Sequence, residues 1–219
     1  EASELLCLQV GDEGDTYHIY PLYTSGGGYL FGTTDDGTWD PGDLGVGTDE
    51  SKAAFERIRE LGEAGVGALK RSISGDNAIP MFAEGECPFL VSGSWAVNDI
   101  KAAGIPYDIT PVPPFADGGP AQPFVGAQVF FVAAQGENKA VAQEFVANYL
   151  TSVDLAVALY EAEPRPPALT AALERVQGDD PDLAKFIAAA ENGVPMPSIP
   201  EMAAIWGPFG IAEAAIVGG

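Results

Sequence analysis

The sequence predicts an α/β fold, because short apolar runs typical of buried strands alternate with segments of helical periodicity. The clearest strand candidate is AQVFFVAA at 127–134, a continuous run rich in Val and Phe. LLCLQV at 5–10 and CPFLVSG at 87–93 are also predicted to be strands. Of the 219 residues, 47% are apolar, so the chain can bury a sizeable core.

Predicted helices are marked by apolar residues at three- and four-residue intervals and by residues that cap helix ends. Ala54, Ile58 and Leu61 predict a helix to about residue 64, with Asp49 as its N-cap and Gly65 as its stop. The other predicted helices cover 76–84, 94–104, a segment with Val141, Phe145 and Tyr149 on one face, 152–162, and a segment with Leu183, Phe186, Ile187 and Ala190 on one face. Asp-Gly, Asp-Pro and Pro-Gly pairs predict turns throughout 33–47.

The chain is strongly acidic, with 32 Asp and Glu against 10 Lys and Arg and a formal net charge of −22. Such a field repels phosphate backbones and anionic lipid, so nucleic acid is not expected as a partner. Neutral ligands and cations remain compatible with it. The acidic stretches 11–15 and 35–43 do not match the calcium-loop pattern, so we interpret them as solvated turns and expect no metal and no cofactor.

The cysteines, the apolar runs and the start of the chain give information about the cellular compartment of the protein. Cys7 and Cys87 lie in apolar stretches without metal-type spacing, which favours buried thiols; a disulfide, which would suit an exported protein, is the alternative. No apolar run approaches the ~20 residues that span a bilayer. Because the chain starts without Met, we interpret it as a fragment or a processed piece, and the missing signal peptide is uninformative.

Residues for catalysis are sparse. His18 is the single histidine, no G-x-S-x-G occurs, and the glycine-rich stretches lack the spacing of a nucleotide loop. Glu84 and Glu86 could in principle form the carboxylate pair of a glycoside hydrolase, but they flank Gly85 on a predicted turn. We therefore predict a protein that is not an enzyme.

Three stretches combine aromatic residues with Pro, Gly or Ser: DTYHIYPLY at 15–23, SGSWAV at 92–97 and MPSIPEMAAIWGPF at 196–209. Carbohydrate binding needs this combination, because the apolar face of a pyranose stacks on an aromatic plane while its hydroxyls require nearby polar groups. Loops held by Pro and Gly can present such a ring without letting it collapse into the core.

The same stretches, with PFVG before the 127–134 run and MPSIPEM before a tryptophan, resemble the maltose/maltodextrin-binding proteins of ABC sugar importers. The resemblance covers nearly the whole chain and implies a periplasmic-binding-protein-like (type II) α/β fold, of which this chain is the second half. It implies that 1–126 form the second (C-terminal) lobe, that 127–175 normally belong to the first lobe, and that 176–219 return to the second lobe.

The resemblance also implies a binding site. The residues that match the family's sugar-contacting positions are Asp15, Tyr17, Trp95, Met196 and Trp206. Trp206 matches the main stacking tryptophan, whereas Asp15 is shorter than the family's acidic residue. Gly210 falls where the best-known members carry an arginine that bonds sugar, so the preferred sugar is left open.

By this resemblance the chain is expected to be the substrate-binding component of an ABC importer for maltose or maltodextrin. It would work outside the cytoplasm, in the periplasm or as a cell-surface lipoprotein, and dock on the membrane subunits of the permease. The alternatives are a binder of another oligosaccharide, a carbohydrate-active enzyme, or a protein-interaction module. The apolar strand at 127–134 would lack its sheet partners, so we also expect that the fragment can form a domain-swapped homodimer.

Overall fold

Helices and short strands alternate along residues 2–219, which the computed structural model describes. The helices are α1 Thr16–Ser25, α2 Asp49–Leu61, α3 Ala78–Ala83, α4 Val97–Ala103, α5 Lys139–Asn148, α6 Val153–Ala162, α7 Thr170–Gln177, α8 Pro181–Ala189 and α9 Trp206–Gly218. The strands are β1 Leu6–Cys7, β2 Phe31–Thr33, β3 Trp39–Leu44, β4 Phe89–Leu90, β5 Phe124–Val125 and β6 Val194–Pro195. Short 3₁₀ turns cover Gly45–Gly47, Ser94–Ala96 and Pro200–Ala204.

The strands form three two-stranded sheets. β1 pairs with β4 and β5 with β6, both in parallel, whereas β2 and β3 form an antiparallel hairpin with an irregularity between Phe31 and Gly32. Parallel pairs need long crossover connections, and the helices between the paired strands supply them. The predicted α/β alternation is therefore confirmed, although the strands are shorter than the apolar runs suggested.

The main core lies between α1, α2, α9 and the first strands. Its largest fully buried side chains include Tyr23, Ile58, Leu69 and Phe209. The ring of Tyr23 meets that of Phe209 edge to face at 4.9 Å between centroids, and its hydroxyl donates to Ser51 Oγ at 2.6 Å. This bond satisfies the one polar atom of a buried ring, as buried tyrosines require.

A second apolar cluster joins α6, α7 and α8. It contains Val157, Tyr160, Ala172, Val176 and Leu183. Side-chain contacts connect it to α4: Asn98 Nδ2 donates to the Ala162 carbonyl at 3.1 Å, and Lys101 lies 3.2 Å from Asp182. The boundary expected at 175/176 falls inside α7, so the helix that carries Val176 crosses it.

A third cluster surrounds the two cysteines. Cys7 and Cys87 are both buried, as predicted, but they are bonded to each other, with their Cα atoms 5.8 Å apart. The favoured interpretation as free thiols is therefore wrong, and the alternative holds. The reason is the parallel pairing of β1 with β4, which aligns Cys7 with Leu90 and brings the two apolar stretches side by side.

The prediction of a buried strand at 127–134 is wrong. None of these residues is in a strand in the part of the chain that the structure describes, and the side chains of Val129, Phe130 and Phe131 are 59%, 65% and 88% exposed. A strand needs a neighbour for its backbone groups, and no described residue supplies one here. The helix predicted after it is confirmed as α5, but its apolar stripe at Val141 and Phe145 is exposed as well.

Most of the remaining helices were predicted, and three were not. The predicted helices near 49–64, 76–84, 94–104 and 152–162, and the one around Leu183, are confirmed as α2, α3, α4, α6 and α8, within a few residues at their ends. Helices α1, α7 and α9 and the β2–β3 hairpin were not predicted. Pro21 lies inside α1, where it cannot donate a backbone hydrogen bond, so the pattern did not indicate a helix.

Candidate functional site

Asp15 holds the first turn of α1, the helix that carries Tyr17 and His18. Its side chain accepts hydrogen bonds from the backbone N–H groups of Tyr17 at 3.0 Å and His18 at 2.9 Å. The His18 ring Nδ1 lies 3.0 Å from the same oxygen, and Gln9 Nε2 donates to the other one. Such a cap satisfies N–H groups that have no partner within the helix. Asp15 therefore holds the turn from which the Tyr17 side chain projects.

Five rings from separate stretches of the chain meet in what we call the aromatic cluster: Tyr17, His18, Trp95, Phe124 and Trp206. The Tyr17 ring centroid lies 6.1 Å from that of Trp95 and 5.8 Å from that of Phe124. Phe124 in turn lies 5.9 Å from Trp206, and His18 lies 6.0 Å from Trp95. The structure thus brings Tyr17, Trp95 and Trp206 into one continuous set of rings.

The elements that carry the cluster differ. Tyr17 and His18 are in the first turn of α1, Trp95 is in the 3₁₀ turn that precedes α4, Phe124 is on β5, and Trp206 is the first residue of α9. Tyr17, Trp95 and Trp206 are partly exposed. Phe124 is buried and stacks on Tyr20, with 3.8 Å between centroids, so it forms the base beneath the others. Partly exposed rings on a buried aromatic base are suited to stacking against a flat apolar face.

Met196 reaches the same region through a different pair of strands. It follows β6, whose Pro195 pairs with Val125 of β5. The Met196 methyl group lies beside Gly126, where an added Cβ would be 3.4 Å away. Met196 is 36% exposed. The β5–β6 pairing therefore places Met196 two residues beyond Phe124 on the neighbouring strand.

Arg165 covers the Trp95 ring, with its guanidinium carbon 5.4 Å from the ring centroid. Glu163 accepts a hydrogen bond from Arg165 Nε at 2.6 Å and so orients the guanidinium. Burial raises the pKa of Tyr17, and the positive charge of Arg165 acts in the opposite direction. A cation with several N–H donors therefore lies at the edge of the aromatic cluster, where it can bond hydroxyl oxygens.

The turn before α1 touches α9 with almost no space between the two backbones. A Cβ on Gly14, whose φ is +73°, would lie 1.8 Å from the Gly210 carbonyl oxygen, and a Cβ on Gly210 would lie 2.5 Å from the Glu13 carbonyl oxygen. Thr16 Oγ1 donates to the carbonyl of Trp206 at 3.1 Å across the same contact. An arginine cannot occupy position 210 unless the two backbones separate.

Two carboxyl groups at this contact have opposite pKa shifts. Burial works to raise the pKa of Asp15, but its bonds with His18 and Gln9 outweigh burial and leave the pKa below 3.8. Burial raises the pKa of Glu213 on α9 to about 8, and the Asp15 carboxylate adds to that effect. The site thus pairs an ionised acid with a neutral one at pH 7.

The Glu84–Glu86 pair lies elsewhere. These residues flank Gly85, whose φ is +78°, in the turn after α3, and the Glu86 carbonyl accepts a hydrogen bond from the Glu4 amide. A groove of about 790 Å³ runs beside β4 and α4 and is lined by residues that include Phe89, Ile100 and Tyr107. The described residues that line it include none of the five predicted site residues.

Of those five, the structure joins Tyr17, Trp95 and Trp206 in the aromatic cluster and places Asp15 at the N-terminal cap of α1. It places Met196 directly after β6, the strand that pairs with the one carrying Phe124. Sequence reasoning did not select His18, Phe124 or Arg165 as site residues. Phe124 had a usable signal, because the PFVG stretch was already part of the family resemblance. Arg165 had none, because its contact with Trp95 joins residues 70 positions apart.

Comparison with known proteins places these features in a family. The family described as bacterial extracellular solute-binding protein matches residues 10–190. The galactooligosaccharide-binding protein of Bacillus subtilis (strain 168) is 29% identical over 202 residues, covering 88% of this chain and 46% of that protein. Maltodextrin-binding protein MdxE of the same organism is 29% identical over 195 residues, again 88% of this chain and 46% of that protein. The chain thus spans about half the length of the curated relatives it matches.

A solved structure shows the same fold. The Thermus thermophilus maltotriose binding protein, bound with maltotriose, superposes with a TM-score of 0.86 at 28% identity, covering 99% of this chain and 56% of that one. This confirms the periplasmic-binding-protein-like α/β fold. No helix among residues 2–219 is long and apolar enough to cross a membrane. The predicted extracytoplasmic location agrees with the family's extracellular description, and the named relatives are binding proteins rather than enzymes. Because the family match covers most of the chain, this protein belongs to the bacterial extracellular solute-binding proteins.

Proposed function

We propose that this chain forms one wall of an oligosaccharide site in the substrate-binding component of an ABC importer, with maltose or maltodextrin as the ligand. The observation that carries the proposal is the aromatic cluster, in which Tyr17, Trp95 and Trp206 are partly exposed and linked through Phe124. Each ring that a pyranose covers can contribute on the order of 1–3 kcal/mol.

The site residues have distinct roles in this proposal. Trp206, Tyr17 and Trp95 stack on or line the sugar, and Met196 extends the apolar surface. Asp15 keeps acceptor capacity on the oxygen that bonds Gln9, so it can receive a bond from a sugar hydroxyl. Arg165 supplies donors that Gly210 lacks. These are the polar and apolar partners that carbohydrate requires.

The transport role involves no catalysis. Ligand closes two lobes around a hinge, and the closed form docks on the membrane subunits of the permease. A ligand shifts such an equilibrium only through contacts that differ between the open and closed states. Segment 127–175 belongs to the opposite lobe in this proposal.

The binding test uses the chain with maltotriose, observed by saturation-transfer NMR and by calorimetry. Because the opposing wall of the cleft is contributed by other residues, we expect a dissociation constant on the order of millimolar, a binding free energy of about −4 kcal/mol. Trp206→Ala should abolish the transfer signal. Trp39→Ala, which changes a tryptophan outside the aromatic cluster, should leave it unchanged. Micromolar binding that survives Trp206→Ala would contradict both the site and the role.

Another oligosaccharide is the second candidate ligand, because the galactooligosaccharide-binding relative matches as well as the maltodextrin-binding one. A panel of oligosaccharides in the same NMR assay separates the two. Shortened maltooligosaccharide products after incubation would instead support a carbohydrate-active enzyme. A protein-interaction module without a ligand predicts that no sugar quenches the tryptophan fluorescence.

A further inference from the structure

Glu213 is a charged residue type in an unusual place. Its side chain is fully buried in α9, among core residues such as Phe209 and Val217. One carboxyl oxygen accepts a hydrogen bond from the Asp15 amide at 2.8 Å. The other, Oε1, has no partner among the described residues. Burying a polar atom without a partner is unfavourable, so a residue of this kind needs an explanation.

Its single bond joins the two elements that carry the main rings of the aromatic cluster. Asp15 caps α1, from which Tyr17 projects, and Glu213 lies seven residues after Trp206 on the same face of α9. Two hydrogen bonds cross between these elements: Thr16 Oγ1 to the Trp206 carbonyl, and the Asp15 amide to Glu213. Together they determine how far apart Tyr17 and Trp206 lie.

We propose that Glu213 is a positioning residue whose buried carboxyl group, by accepting a hydrogen bond from the Asp15 amide, holds the Tyr17 turn at its distance from Trp206. Loss of a proton from Glu213 weakens this arrangement. A buried negative charge without a cation is unfavourable, and separation of the turn from α9 would let water reach it. The consequence for sugar binding rests on the proposed function, but the positioning role does not.

The charged surroundings support this reading. Asp15 faces Glu213 from the N-terminus of α1, and it is the charged side chain whose field acts on Glu213 among the described residues. Helix α2 also packs against α9, but its basic side chains contact other groups. Lys52 pairs with Asp49, Arg59 pairs with Glu56, and Arg57 lies over the Phe115 ring. Burial and Asp15 therefore keep Glu213 protonated at pH 7, with a pKa of about 8.

Folding stability is expected to decrease with rising pH because of the raised pKa of Glu213. The pKa of Glu213 is raised from its ordinary value of 4.5 to about 8 in the folded chain. Its contribution to stability is therefore complete below pH 4.5, is lost progressively as the pH rises to about 8, and does not change further above that. Within the folded chain, the Asp15 turn should respond near pH 8, where Glu213 itself ionises.

The experiment compares the native chain with E213Q and E213L by ¹H–¹⁵N NMR from pH 6 to pH 9.5. Gln keeps the shape and an acceptor for the Asp15 amide but cannot ionise, whereas Leu removes the acceptor. In the native chain we expect the Asp15 amide and the Trp206 indole N–H resonances to titrate with a midpoint near 8. In E213Q they should stay constant, and in E213L the protection of the Asp15 amide against exchange should fall about tenfold.

Two internal controls make the result specific. The Trp39 indole and the Gly37 amide, which donates to Thr34 in the β2–β3 hairpin, should not titrate near pH 8 in any variant. A titration near pH 8 that persists unchanged in E213Q would arise from a group other than Glu213 and would overturn the proposal. The proposal would also be overturned if the chemical shift of the Asp15 amide in the native chain did not change between pH 7 and pH 9.

Binding is measured separately, with maltotriose at pH 7 and pH 9. We expect the native affinity to fall at least about fivefold at pH 9, while the affinity of E213Q stays within about twofold. If the Asp15 and Trp206 resonances titrate as expected but maltotriose does not bind at either pH, the proposed function fails and the positioning role of Glu213 stands. If maltotriose binds and neither resonance titrates, the positioning role fails alone.

Discussion

At the scale of single residues, the contact between Gly14 and Gly210 allows the turn before α1 to lie directly against α9. The family resemblance implies an arginine at position 210, and the structure gives a reason why this chain has Gly210 instead. A side chain at either glycine would meet the opposite backbone before any sugar could be reached. The close approach in turn allows Thr16 and Asp15 to bond α9 directly.

Replacing Gly14 by Ala should therefore be strongly destabilising. The new Cβ would lie 1.8 Å from the Gly210 carbonyl oxygen in a left-handed conformation, so the two elements must separate. We expect the free energy of unfolding, measured with urea, to fall by more than about 3 kcal/mol. Gly37→Ala is the matched control, because Gly37 also has positive φ but has open space around its Cβ position. It should lose only about 1 kcal/mol; equal losses in both variants would contradict the role of the Gly14–Gly210 contact.

At the scale of elements, β1 and β4 form a parallel pair of only two residues each, and the Cys7–Cys87 disulfide adds a covalent link beside it. The bond joins residues 80 positions apart in sequence. Closing a loop of this length in the unfolded chain lowers its conformational entropy and so stabilises the folded state. Ile73 and Ala78 belong to the same buried apolar cluster as the two cysteines, so the bond lies in an apolar environment.

Reduction of this disulfide should lower stability. With a loop of 80 residues, we expect the free energy of unfolding to fall by about 2–5 kcal/mol when Cys7 and Cys87 are both replaced by Ala. Urea denaturation of the native chain with and without reductant gives the same comparison. The double variant should not respond to reductant, and a native chain equally stable in both conditions would show that the bond contributes nothing.

At the scale of the whole molecule, the distribution of apolar surface is uneven. The main core is buried, yet one stretch exposes a series of large apolar side chains. These are Val129, Phe130, Phe131, Val141, Phe145 and Tyr149. Exposed apolar surface of this extent marks a contact with other residues, and the relatives, about twice as long, have further chain to supply it.

We expect the chain to self-associate through this surface, by swapping or by simple pairing. Sedimentation velocity should show dimers or larger species at micromolar concentration. The variant F130S/F131S should shift the population to monomer, because it removes two of the most exposed rings. V66S, which changes an exposed apolar residue outside this stretch, serves as control. A native chain that is monomeric up to 100 times that concentration would contradict the expectation.

Much of the local structure followed from the sequence. Helical periodicity predicted α2, α5 and α8, because an apolar stripe is a local feature. The predicted N-cap of α2, Asp49, is wrong: Thr48 caps the helix by accepting a hydrogen bond from the Ser51 amide. Burial of both cysteines was also predicted, since each lies in an apolar run. The strand at 127–134 was not predicted correctly, because an apolar run becomes a strand only when another segment pairs with its backbone.

The sequence by itself determined the α/β alternation, the family resemblance and the aromatic stretches, since each depends on residues that are near one another along the chain. Only the tertiary structure decided that Cys7 bonds Cys87, that Phe124 joins Tyr17 to Trp206, that Arg165 covers Trp95, and that Glu213 is buried behind Asp15. These contacts join residues that are many positions apart, and their energies depend on burial and geometry that no local pattern contains.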